Sequence, residues 1–138
     1  MKINIKNEHV GETINFLFDL PLKGKQSRHR TRFINLLTEK HKQIVEEELQ
    51  LIKEFAGVDE NGEPKRNEHG NFDVKDVKEF KKQQEELLSE EYVVEGGDYH
   101  GMLKTVKEIV LNYDEEVSGK KAVIYDYLCE AFEDMKSE

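Results

Sequence analysis

From Phe33 to Phe55 apolar residues recur at spacings of three, four or seven along one helical phase, and neither proline nor glycine interrupts the run. An α-helix is the element that brings residues of that period to one side. The pattern predicts a single helix over about 27–55, at ~1.5 Å per residue some ~43 Å long. Ser27 suits the N-cap, because its hydroxyl can accept a free amide of the first turn, and Gly57 suits the stop. The predicted stripe holds Phe33, Leu37, Ile44, Leu51 and Phe55, widened by Ile34, Val45 and Ile52. Arg30, His41 and Glu48 fall inside it, whereas Arg28 and Arg32 fall on the opposite, solvent-facing side.

The start of this helix is also the one basic stretch of an acidic chain. Lys23, Lys25, Arg28, Arg30 and Arg32 come with no acid among them, in a protein of net charge -9. Without those five the chain carries 16 bases against 30 acids. Either acidic helix faces of the fold neutralise the cluster, or it meets an acidic partner protein or nucleic-acid phosphates. No aromatic lies between Arg28 and Arg32, which disfavours single-strand stacking. Arg30 is the exception within the cluster, since an unpaired buried cation is costly. Its expected partner is a carboxylate of the last helix: Glu130, Glu133 or Asp134.

Around the long helix the other elements are shorter. KINIK at 2–6 alternates as a half-buried strand does. Val10, Ile14, Leu17 and Phe18 mark a short helix ending before Pro21. Val58 to Asp73 loses all periodicity, and Asn61-Gly62 and His69-Gly70-Asn71 are turn signals, so a β-hairpin or long loop is expected there. Val74, Val77, Phe80, Gln84, Leu87 and Leu88 give an amphipathic helix capped by Asp73 or Asp76. Tyr92 to Val94 reads as a short strand closed by Gly96-Gly97. A helix from about Asp98 buries Tyr99, Met102, Leu103, Val106, Ile109, Val110 and Tyr113. The last helix follows Ser118-Gly119 and buries Ile124, Tyr125, Leu128, Phe132 and Met135. No internal repeat is evident. The expected fold is therefore mostly α and a single domain over 1–138. It has four to five helices and a small β element built from the N-terminal strand and a hairpin around 58–73, which Tyr92 to Val94 can join.

Composition narrows the class. At 36% hydrophobic and 37% charged, the chain suits exposed helices, or a subunit that completes its core against a partner or a second copy. The single Cys129 excludes an internal disulfide and a cysteine zinc cage, and fits a reducing compartment. No apolar run is long enough for a bilayer, and MKINIKNEHV lacks the apolar core of a signal peptide. A cytoplasm is the expected location, with no membrane partner.

None of the catalytic patterns holds. Gly24-Lys25 resembles a phosphate loop, but Asp19 stands where its first glycine belongs and Gln26 where its hydroxyl belongs. Counted from Asp59 as a calcium loop, glycine arrives at the fourth position and Pro64 at the sixth, so the stretch is turn chemistry. His9, His29, His41, His69 and His100 have no i, i+4 pair and read as isolated surface residues. His41, inside the stripe, would need a partner from a buried network or a subunit interface. The runs Glu46-Glu47-Glu48, Glu85-Glu86 and Glu115-Glu116 lie on solvated faces, where adjacency makes no cleft. No cofactor, metal or enzymatic activity is expected.

KGKQSRHRTRFINLL, EEELQLIKEFA, DENGEPKR and VLNYDEEVSGKKAVIYDYLCEAFE together resemble a family of small uncharacterised proteins of tailed phages and prophages of Gram-positive bacteria. The resemblance covers nearly the whole chain. It implies no catalytic residues, but it does imply a gene neighbourhood of tail, baseplate and lysis functions. The expectation is a non-enzymatic protein of tail structure or virion assembly, found in the cytoplasm or the virion. Such a protein would act through contacts with phage or host proteins, or with itself. The alternative is a small regulatory module that binds nucleic acid or a host protein through Lys23, Lys25, Arg28, Arg30 and Arg32.

Overall fold

The computed structural model describes residues 1–95 and 99–135. Strand β1 (Lys2–Lys6) leads into α1 (Asn7–Phe18), and α2 (Gly24–Ala56) follows. Then come α3 (Val77–Ser89), β2 (Glu91–Glu95), α4 (His100–Leu111) and α5 (Gly119–Glu133). The fold is mostly α with a small β element, as the periodicities predict. Gly96, Gly97 and Asp98, expected to close a strand and open a helix, lie outside the described residues.

The chain divides into two compact units, Met1–His41 with Glu91–Glu138 and Lys42–Glu90. In the first, β1 and β2 form an antiparallel pair in which Ile3 faces Val94 and Ile5 faces Tyr92. The alternation of KINIK puts Ile3 and Ile5 fully inside. β2 is thus the strand that β1 pairs with, and the 58–73 stretch is no part of the sheet. α5 packs on α1, α4 and β1. The core gathers Val10, Leu17, Phe33, Leu37, Leu103, Val106, Val110, Leu128 and Phe132, all removed from solvent. At its edge Phe16, Tyr113 and Tyr125 form an aromatic trio with ring centroids 5.3–5.8 Å apart. Leu17 and Phe18, both expected inside, are neighbours on one helix and cannot share a face. Leu17 is buried and Phe18 is 67% exposed.

The predicted long helix is present and starts earlier, at Gly24 (φ +59°), so Ser27 sits within it and is not its cap. At its far end Gly57 (φ +78°) donates its amide to the Lys53 carbonyl, the left-handed stop the sequence predicts.

The second unit is thinly cored. Ile44, Ala56 and Leu87 are its buried aliphatic side chains, while Val45, Val58 and Val77 are exposed. Phe55 and Phe80 meet edge to face at 5.6 Å, and Lys75 donates its amide to the Phe55 carbonyl, which ties the start of α3 to the end of α2. Asp76, as predicted, caps α3 by accepting from the Glu79 amide. The stretch between is two successive loops of the same design. Asp59 Oδ1 accepts the amides of Asn61 and Glu63, and Asn67 Oδ1 accepts those of His69 and Asn71. Gly62 and Gly70, at φ +80° and +81°, turn each loop. Lys65 donates to the Gly57 carbonyl and Asp73 to the Lys65 carbonyl, so the arrangement repeats every eight residues. The repeat lies in hydrogen bonds more than in letters, which hid it in the sequence.

Candidate functional site

The basic stretch begins at Lys23, just before α2, and runs into the third turn of that helix. Lys23, Lys25, Arg28 and Arg32 are exposed. Among the described residues none of the four has a carboxylate within 4.0 Å. Lys25, Arg28 and Arg32 stand at i, i+3 and i+7, which sets them on one stripe of the helix.

Arg30 turns the other way, as its phase predicts, but its partner is not a carboxylate. Its guanidinium donates to the carbonyls of Leu17 (2.9 Å) and Leu20 (2.7 Å), with Phe18 at 3.5 Å. The Leu17 carbonyl, which also takes the Leu20 amide at 3.3 Å, lies at the negative end of α1 and the Leu20 carbonyl just past it, where a cation is favoured. Arg30 therefore fastens the end of α1 to the start of α2, and Glu130, Glu133 and Asp134 remain exposed.

Sequence reasoning placed His29 on the surface; it is 8% exposed. Its Nδ1 lies 2.9 Å from Thr105 Oγ1, and that hydroxyl donates its own proton to the Gly101 carbonyl at 2.9 Å. Thr105 can then only accept, so His29 donates from Nδ1. Burial is the main cause holding the imidazole pKa below its ordinary 6.5, and Arg32, Lys25 and Arg28 push the same way, against a hydrogen bond to the Gly101 backbone. The i, i+4 step from His29 to Phe33 was the signal available for its burial. His41, expected to need a partner inside the stripe, is exposed and lies over Gly11, whose added Cβ would come within 3.2 Å of its ring.

A second candidate is a cavity of about 350 Å³ between the outer face of β1 and α5, lined in part by Lys2, Lys6, Tyr127, Glu130 and Asp134. Tyr127 accepts the Lys6 amide at 2.9 Å, and its hydroxyl pKa is raised, first by burial. Lys2 and Lys6 face Glu130 and Asp134 across it with no ion pair within 4.0 Å among the described residues. The described residues contain no group of three or more His, Cys, Asp or Glu fit to hold a metal ion. No described helix is long and apolar enough to cross a membrane.

The start of α2 thus carries an exposed cationic stripe, with its neighbour Arg30 committed to the fold. No curated protein and no solved structure matches the chain. Over residues 1–138 it matches the family described as a protein of unknown function, DUF1617, and it belongs to that family.

Proposed function

We propose that this is a non-enzymatic protein of tailed phages or prophages that works through protein–protein contacts in tail structure or virion assembly. The observation that carries the reading is the exposed set Lys23, Lys25, Arg28 and Arg32, without a described carboxylate partner in a protein of net charge -9. Cations that served only the fold would be expected to draw on its many carboxylates. An acidic surface of another protein fits the stripe better than a nucleic acid does. Phosphate backbones respond to the whole field of the protein, and this field is negative beyond the stripe. The resemblance to phage and prophage proteins supplies the setting, a host cytoplasm or a virion. Mass spectrometry of purified virions, with particle counts after gene deletion, tests the reading. Presence in particles, or loss of complete tails on deletion, is the expected result. Absence from virions together with normal assembly would remove the proposal.

A further inference from the structure

The carboxylates on the outer face of α5 match the cationic stripe of α2 in spacing. Asp126, Glu130 and Glu133 are exposed. None has an ion pair within 4.0 Å among the described residues. Along α2 the cations are separated by three and then four residues. Read backwards along α5, Glu133, Glu130 and Asp126 are separated by three and then four. Two antiparallel helices would therefore bring Lys25 to Glu133, Arg28 to Glu130 and Arg32 to Asp126 in register, over ~10 Å of axis.

Inside one chain this pairing does not occur. The two helices meet there through Phe33 and Phe132, whose rings are 6.1 Å apart and fully buried. Both charged stripes lie on other faces of their helices, turned away from that contact by the helical period. Within the chain Lys2 and Lys6 face Glu130 across the β1–α5 cavity but lie beyond ion-pair distance, which leaves the acidic stripe open to a complement from another molecule.

We infer that the Lys25–Arg28–Arg32 stripe of one copy docks antiparallel against the Asp126–Glu130–Glu133 stripe of a second copy. This rests on the reading of the stripe as a protein-contact surface and names its partner. Each copy offers one stripe of each kind, so the contact is head to tail and can be extended copy by copy. Val123, 64% exposed and one turn before Asp126 on the same face, adds an apolar side chain at the end of the seam. Exposed ion pairs are individually weak, so the contact forms where copies are already concentrated, as on a growing assembly. The net charge of -9 limits growth in dilute solution.

Analytical ultracentrifugation of the full chain, from micromolar to near-millimolar concentration, tests this with two variants. Arg28→Glu/Arg32→Glu reverses the cationic stripe, and Asp126→Arg/Glu130→Arg reverses the acidic one. All four positions are exposed, so the fold is expected to survive, and circular dichroism checks it. Wild type is expected to grow past a dimer with concentration, and each variant alone to stay monomeric. An equal mixture of the two should regain growth past a dimer, because the unaltered stripes complement each other and the two reversed stripes do so in the same register. A wild type that stays monomeric throughout overturns the inference, as does association that both variants retain. Labelled poly-L-glutamate, titrated into the same samples, separates the two readings. If a monomeric wild type binds it and Arg28→Glu/Arg32→Glu does not, the contact surface stands and only the self-docking fails. If wild type does not bind it either, both fail. Tighter binding of a thymidine oligonucleotide than of poly-L-glutamate also overturns both.

Discussion

Removing the Arg30 side chain should cost stability out of proportion to its neighbours. Arg30→Ala deletes two short hydrogen bonds from a guanidinium, at 2.9 Å to the Leu17 carbonyl in the last turn of α1 and at 2.7 Å to the Leu20 carbonyl just beyond it. A hydrogen bond involving a charged group contributes ~1.5–3 kcal/mol, and carbonyls at a half-buried helix end recover part of that from water, so a net loss of about 2–3 kcal/mol is expected. Arg30→Lys keeps the charge but cannot span both carbonyls, and should retain about half. Arg28→Ala and Arg32→Ala, on the exposed side, should each cost less than ~0.5 kcal/mol. Urea unfolding followed by circular dichroism reads this directly: at a slope of ~2 kcal/mol per molar, Arg30→Ala lowers the midpoint by about 1–1.5 M. Equal, small shifts at all three positions would refute the bridge between α1 and α2.

Three further outcomes follow from the same contacts. His29 has a lowered pKa in the folded protein, so the unfolded chain takes up its proton first as pH falls. Its contribution is therefore complete above about 6.5 and declines below that value, and His29→Gln should flatten the stability curve between pH 7 and 5. Phe33→Ala, at a fully buried ring packed on Phe132, should cost about 3–5 kcal/mol in urea unfolding. Asp59→Ala should cost about 1 kcal/mol and raise amide hydrogen exchange at Asn61 and Glu63 while leaving His69 and Asn71 unchanged.

Sequence periodicity disclosed what depends on local spacing and missed what depends on distant partners. α2, α4 and α5 were legible because their stripes repeat over three turns or more and end at glycine or another break. The β1–β2 pair was half legible: both strands could be seen and residues 92–94 could be set beside the N-terminal strand, but not that residues 91–95 alone pair with residues 2–6, since pairing across the chain leaves no local mark. Arg30 had the right phase and the wrong partner, because backbone carbonyls at a helix end carry no residue type to search for. His29 was misplaced by judging histidines only against metal spacing and not against the stripe. In the 57–73 stretch the glycines announced turns, yet the decisive groups are Asp59 and Asn67, three residues earlier, each folding a loop over its own side chain. Of the candidate surface, the exposure of Arg28 and Arg32 was legible from helical phase. Its match to α5 required knowing that both stripes face away from the Phe33–Phe132 contact.

Whether Lys25, Arg28 and Arg32 are kept for a partner or for the fold is decided by the unfolding free energy of Lys25→Gln/Arg28→Gln/Arg32→Gln. With no described carboxylate to lose and mutual repulsion to relieve, the triple variant should unfold within ~0.5 kcal/mol of wild type, or slightly above it. A loss of ~2 kcal/mol or more would mean that the stripe is neutralised within the protein, and that it is not a surface held open for another molecule.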